Sequence, residues 1–217
     1  MQESVTVRQL DFDGLAIRFD HRVLEPRPWT SAQSHWAADL LDSGPAGPVL
    51  ELCAGVGHIG LLAVTLAARD LVMVDLDPTA CEFARRNIAA NPPAGTVEVR
   101  EGPMDRVLAP GERFAGIIAD PPWVPTRDVT RFPDDPLLAI DGGADGMSVA
   151  WTCVDVIARH LVDDGWALVQ LGTAGQAAAL GERLDELPGL ALRLAEVREY
   201  GDRGVLVLLT RTTPPEG

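Results

Sequence analysis

From Pro48 onward the chain alternates short apolar runs with stretches of helical length, and this pattern limits its fold more than any other feature. P-V-L-E-L (Pro48 to Leu52), L-V-M-V-D (Leu71 to Asp75), Thr96 to Arg100, A-G-I-I-A (Ala115 to Ala119) and Gly165 to Leu171 each have the length and content of a strand. Helical stretches run from about His58 to Ala68, Pro78 to Asn91, Met147 to Leu161 and Ala174 to Leu187. Strands that alternate with crossover helices must pair in parallel. The expectation is an α/β fold, a doubly wound sheet with helices on both faces. Leu190 to Tyr200 and Val205 to Arg211 flank a G-D-R-G turn too short for a crossover. They are therefore expected to close the sheet as an antiparallel hairpin.

Ahead of this pattern, Val5 to Leu10 and Leu15 to Phe19 suggest two short strands around a turn at Asp11 to Gly14. The following V-L-E-P-R-P-W-T, Val23 to Thr30, is too rich in proline to be regular, and Thr30 or Ser31 can cap a helix to about Leu41. No repeat, low-complexity tract or interior linker interrupts the 217 residues, enough for one domain with a full core. Residues 1–45 are expected to pack, as strands, loop and helix, on a ligand-binding domain formed by 46–217.

In open sheets of this kind ligands sit at the carboxyl ends of the strands. Three features gather there. The first is E-L-C-A-G-V-G-H-I-G, Glu51 to Gly60, in which Gly55 and Gly57 permit a sharp turn and a close backbone approach to a ligand. Glycines alone equally suit a tight strand-to-helix turn without a ligand. Asp75, one strand later, stands where an acid grips a ribose diol. The pair suggests a dinucleotide, but Glu51 ahead of the glycines is placed to pair with an ammonium group, and the terminal antiparallel hairpin differs from an all-parallel dinucleotide sheet. The third feature is D-P-P-W, Asp120 to Trp123, following an apolar strand. His58 reads as a ligand-adjacent or capping residue, Trp36, Trp151 and Trp166 as core, and Asp163 with Asp164 as a turn. D-G-G-A-D-G, residues 141–146, reads as a loop shaped first by its backbone.

Charge and composition remove other classes. The net charge is −14 and every one of the 18 basic residues is arginine, scattered rather than clustered, which disfavours nucleic acid as a partner. No apolar run reaches membrane-spanning length, and the start M-Q-E-S-V-T-V-R-Q lacks the basic and apolar regions of a signal peptide. A cytoplasmic protein without a membrane partner is expected. Cys53, Cys81 and Cys153 lack metal spacing and read as buried, reduced thiols.

These blocks together resemble the class I S-adenosylmethionine-dependent methyltransferases, and within them the HemK/PrmC family of protein-(glutamine-N5) methyltransferases. V-L-E-P-R-P-W-T is similar to the family's V-L-I-P-R-P-E-T, D-P-P-W-V-P stands for N-P-P-Y-I-P, and L-A-I-D-G-G-A-D-G nearly repeats L-A-L-D-G-G-A-D-G. V-D-L-D-P follows the glycine loop in the same order, so the match spans about Val23 to Leu171. The resemblance implies a Rossmann-like seven-stranded sheet and S-adenosyl-L-methionine as cofactor. Cys53, Ala54, Gly55, Val56 and Gly57 would line its methionine part, with Glu51 in the loop's acidic position. Asp75 and Leu76 would bind the ribose side and Met104 the adenine. The family's usual Asp before that position is Pro103 here; Asp105 either supplies the carboxylate or is a solvated loop residue. Asp120 would take the Asn position, bordering cofactor and acceptor, and the acceptor would meet the Pro121 carbonyl, Pro122, Trp123 and Arg27.

Methyl transfer from a sulfonium is an in-line displacement that mainly requires a positioned, desolvated nucleophile. Asp120 and the Pro121 carbonyl can accept the hydrogens of an amide or amine nitrogen, the prolines fix the turn, and Trp123 offers a flat wall. Asp for Asn matters because a carboxylate only accepts hydrogen bonds, whereas an amide also donates. The leading reading is an N-methyltransferase acting on an amide or amine nitrogen of a protein side chain. Alternatives are a small-molecule N- or O-methyltransferase and, less favoured by the charge, a nucleic-acid base methyltransferase. Family members that modify release factors carry an N-terminal helical domain with no counterpart in this sequence; other members lack it. The oligomeric state is left open.

Overall fold

The computed structural model describes residues 6–212, so Val5, expected to begin the first strand, lies outside them. β1 (Arg8–Phe12) and β2 (Leu15–Phe19) form a separate antiparallel pair. Their turn is tighter than Asp11 to Gly14: Asp11 pairs with Ala16 and Phe12 with Leu15. Only Asp13 (φ 53°) and Gly14 (φ 89°) remain in it, the doubly positive geometry whose twist suits a hairpin.

The chain continues through α1 (Ser31–Ser43), β3 (Val49–Leu52), α2 (His58–Ala67), β4 (Leu71–Asp75), α3 (Pro78–Ala90), β5 (Val97–Glu101) and β6 (Phe114–Ala119). It then forms α4 (Leu137–Ile140), α5 (Ser148–His160), β7 (Leu161–Leu171), α6 (Ala174–Glu186), β8 (Leu192–Glu199) and β9 (Val205–Arg211). The sheet order is β5-β4-β3-β6-β7-β9-β8. The first five strands pair in parallel, and β9 enters antiparallel between β7 and β8. This is the doubly wound, Rossmann-like α/β sheet with a terminal hairpin. Winding outward from β3 to β5 and then crossing to β6 leaves the ends of β3 and β6 as the switch point, where a crevice opens.

Alternation along each strand divides the core between the two faces. Val49, Leu71 and Met73 pack on one side with Phe83, while Leu50, Leu52 and Ile117 pack on the other with Val154 and Leu180. The N-terminal residues Phe12, Ile17, Phe19, Trp36 and Leu41 belong to the first cluster. Two asparagines one helical turn apart, Asn87 on α3 and Asn91 just past its end, serve the outer edge of β2 as a strand would. Arg18 N donates to Asn87 Oδ1 at 2.8 Å and Ala16 N to Asn91 Oδ1 at 3.0 Å, and both amides return a bond to the same residues' carbonyls. Asn87 Nδ2 also donates to Val56 O at 3.0 Å, which ties the hairpin to the glycine loop.

Two sequence expectations change here. Asp163 and Asp164 lie not in a turn but as exposed residues inside β7, which starts at Leu161; the pairing with β6 slips between Phe114 and Gly116 to accommodate them. A 3-10 turn (Thr126–Arg131) and the one-turn helix α4 between β6 and α5 were not anticipated, being too short to show a helical period. Trp36 and Trp166 are each 4% exposed, Trp151 is half-buried, and all three cysteines are free thiols, Cys53 half-buried and the others buried. Among the described residues no helix is long and apolar enough to cross a membrane.

Candidate functional site

A cavity of about 290 Å³ lies at the switch point, over the ends of β3, β4 and β6. Its first wall is the glycine loop. Cys53 (φ 55°), Gly55 (φ 55°) and Gly57 (φ 80°) all have left-handed backbone, and only the glycines adopt it without strain. Gly57 is held by its left-handed backbone, and a Cβ there would also crowd the Met73 side chain, 2.9 Å from its Sδ; a Cβ on Gly55 would meet nothing within 4 Å, so this one faces open space. Asp75 organises the loop: its Oδ2 accepts from Gly55 N at 2.6 Å and its Oδ1 from Asp77 N at 2.8 Å. Burial pushes its carboxyl above the usual range against the pull of those bonds. A carboxylate has about four acceptor positions, so two remain for a diol.

Glu51 lies beneath the loop. It is 2% exposed, gives Oε1 to Gly60 N at 2.9 Å, and is absent from the cavity wall. Its Oε2 has no partner, and a Cβ on Gly60 would stand 2.4 Å from that atom. Burial, together with the negative charges of Asp120 and Asp75, pushes the carboxyl up to about 8 against the Gly60 bond. Its bond to Gly60 ties the end of β3 to the first turn of α2.

The second wall comes from β4 and the segment after β5. Leu76 is 53% exposed at the rim, and Pro103, Met104 and Asp105 all border the cavity. Met104 Sδ lies 3.7 Å from Cys153 Sγ. Cys53 sits beside the same thiol; that neighbour and burial hold its own thiol well above the usual range, which leaves it inert.

Asp120 forms the third wall. No described side chain or amide is hydrogen-bonded to its carboxyl, and removal from water raises it to about 7. Pro122 lines the cavity, but Pro121 and Trp123 do not. The Trp123 ring packs against Gly172, where a Cβ would come within 2.1 Å of it. The D-G-G-A-D-G loop braces the turn from outside. Val124 N donates to Ile140 O and Gly142 N to Val124 O, and Gly146 has no room for a side chain because Trp123 O would lie 2.2 Å from its Cβ.

The remaining wall is the segment 23–30. Arg27 lines the cavity while its guanidinium binds both oxygens of Asp135 at 2.8 Å, clasping this segment to the one after β6. His58 also lines it. Its Nε2 meets Thr30 Oγ1 at 3.3 Å and burial lowers the ring to about 3, so it is neutral and no general base. Leu138, Val149 and Thr152 complete the wall and were not picked out from sequence. Leu138 sits in the unanticipated α4, and the other two read as ordinary positions of an amphipathic helix.

The chain matches the family described as methyltransferase small domain over residues 34–132. It is 30% identical to a ribosomal protein uL3 glutamine methyltransferase of Bradyrhizobium diazoefficiens, covering 86% of this chain and 61% of that protein. It is 32% identical to a release factor glutamine methyltransferase of Deinococcus radiodurans, over 75% of this chain and 59% of that one. The chain thus spans about three fifths of the length of these relatives. Solved structures share the fold: a ribosomal protein L11 methylase of Lactobacillus delbrueckii (TM-score 0.64, 14% identity, 88% of this chain and 82% of that one) and a human methyltransferase 10 domain containing protein (TM-score 0.64, 19% identity, 93% and 89%). In fold, site and matched family the chain is similar to the class I S-adenosylmethionine-dependent methyltransferases. Within that class the chain resembles the HemK/PrmC-type glutamine methyltransferases.

Proposed function

We propose that this chain methylates an amide or amine nitrogen of a protein side chain, with S-adenosyl-L-methionine as donor. The observation that carries the reading is the unpaired Asp120 carboxyl facing the same cavity as Gly55 and Asp75. Gly55 offers a bare backbone, Asp75 has acceptor positions to spare, and Leu76 with Met104 gives an apolar surface suited to a nucleoside. The cofactor, when bound, supplies a methyl group already activated on a sulfonium.

The rest falls to the chain's own residues. Asp120 accepts a hydrogen of the acceptor nitrogen and aims its lone pair into the cavity, offsetting charge that develops on nitrogen. With its carboxyl near 7, Asp120 also resolves part of its difference from an amide. Below that pH it carries both an acceptor oxygen and an O–H donor, as an amide does; above it, the carboxylate can take up the proton that N-methylation releases. Pro122 limits the turn's freedom and excludes water.

A protein acceptor is favoured by a second groove of about 450 Å³ that shares Val23, Glu25 and Arg27 with the cavity and is flanked by Phe19, Phe132 and Pro133. It adds room beyond a single small metabolite. The test is transfer of labelled methyl from S-adenosyl-L-methionine to purified uL3, a release factor, total RNA and a metabolite extract. Label on a protein glutamine or other side-chain nitrogen supports the reading. Label confined to metabolites would establish a small-molecule methyltransferase instead, and label in RNA a base methyltransferase.

A further inference from the structure

The turn after β6 cannot brace itself. Pro121 and Pro122 have no N–H, and the carbonyls on either side need donors from elsewhere in the chain. Each is met by a glutamine. At one end Gln33, fully buried on α1, donates from Nε2 to Ala119 O and to Leu168 O, both at 3.1 Å. At the other end Gln176 Nε2 donates to Trp123 O at 3.0 Å while its Oε1 accepts from Gly172 N at 2.9 Å. The same Nε2 lies 3.4 Å from Asp145 O and Gly146 O, so the D-G-G-A-D-G loop meets the turn at this amide.

Local sequence explains why Gln176 stands there. Thr173 caps α6 and accepts from Gln176 N at 3.1 Å, the first half of a T-x-x-Q capping box. The second half is redirected: Oε1 binds the amide of Gly172, one residue before the cap, and leaves Nε2 free to reach across to Trp123. The amide is used in both senses, which a carboxylate of the same size cannot do while ionised. Neither glutamine lines the cavity.

We infer that Gln33 and Gln176 are positioning residues that bracket the Asp120–Trp123 turn and thereby set Asp120 against the acceptor. The inference deepens the methyl-transfer reading and rests on it for its kinetic part. Gln176→Ala and Gln176→Glu should each lower kcat by up to about 100-fold, as a displacement near 1 Å does, while KM for S-adenosyl-L-methionine changes roughly twofold or less. Turnover of Gln176→Glu relative to wild type should recover as pH falls toward about 4.3, where half of an ordinary Glu carboxyl is protonated and donates again; lost packing alone would give no such recovery. Gln33→Leu should give the same split from the other end.

The structural readout is hydrogen exchange at Val124 and Thr126, whose amides are bonded to Ile140 O and Gly143 O, alongside cofactor affinity by calorimetry. Faster exchange with unchanged affinity upholds the bracket. Unchanged exchange, or cofactor affinity that falls together with kcat, overturns it. If wild-type protein labels neither uL3 nor release factor, the functional reading loses its support while exchange and affinity still decide the bracket. If Gln33→Leu does not fold, the two Gln176 variants decide alone.

Discussion

The ends of β3 and β4 face the same cavity as the end of β6, yet the two regions are stabilised in different ways. The glycine loop is nearly self-contained. Ala54 N donates to Val74 O, Gly57 N to Ala54 O, and Asp75 takes the Gly55 amide, all between residues of one β-α-β unit. The turn at Asp120 has no such means: its prolines lack donors, and its carbonyls depend on Gln33 and Gln176 from α1 and α6. Local sequence determines the first region, and long-range packing determines the second.

This contrast yields graded tests. Asp120→Ala should lower kcat by about 10²–10³-fold, the usual cost of losing one group that stabilises a transition state, with cofactor affinity little changed by titration calorimetry. Binding and turnover falling together would move Asp120 into the cofactor half. In the same assay kcat of wild type should rise as pH passes about 7, where Asp120 ionises, and Asp120→Asn should remove that inflection.

Next in size is Asp75→Ala, which removes the acceptor of two loop amides as well as any diol contact. It should weaken S-adenosyl-L-methionine binding by roughly 10- to 100-fold in Kd and leave kcat at saturating cofactor less affected. An effect on kcat alone would break the division into two regions.

Glu51→Gln probes the support under the loop. The folded protein keeps the Glu51 proton up to about 8, whereas an unfolded Glu releases it near its ordinary pKa of about 4.3. The folded state therefore binds more protons between those values, and stability falls as pH rises through that window by at most about 1.4 kcal/mol per pH unit from this group. Thermal midpoints from pH 5 to 9 should decline less steeply for Glu51→Gln than for wild type. Equal slopes would show that Glu51 is not the buried acid responsible.

Arg27→Ala should have the smallest effect on stability, about 1 kcal/mol or less, because its pair with Asp135 is partly solvated. Its effect should appear in KM for the acceptor, since Arg27 borders both the cavity and the adjoining groove.

The same contrast explains what sequence alone could provide. The strands from Leu71 to Asp75 and from Val205 to Arg211 were legible to the residue because apolar runs end at turn-forming residues. The meeting of Asp75 with the glycine loop was legible because their partners lie within one structural unit. The placement of Trp123 was not, because it depends on Gly172, which follows β7 in the chain. Glu51 stands in the expected position along the chain, but its side chain turns under α2 because Gly60 leaves space there, a detail of packing that no local pattern carries. Leu138 escaped notice because a four-residue helix has no period to detect.

Leu76 and Leu138 stand 53% and 57% exposed on the cavity rim, apolar surface that the protein alone leaves in water. A nucleoside lying across them would link the fate of the fold to the supply of its donor. At a cofactor concentration 100 times its Kd the folded state gains about 2.7 kcal/mol. Starvation for the donor would then shorten the protein's lifetime as well as idle its chemistry.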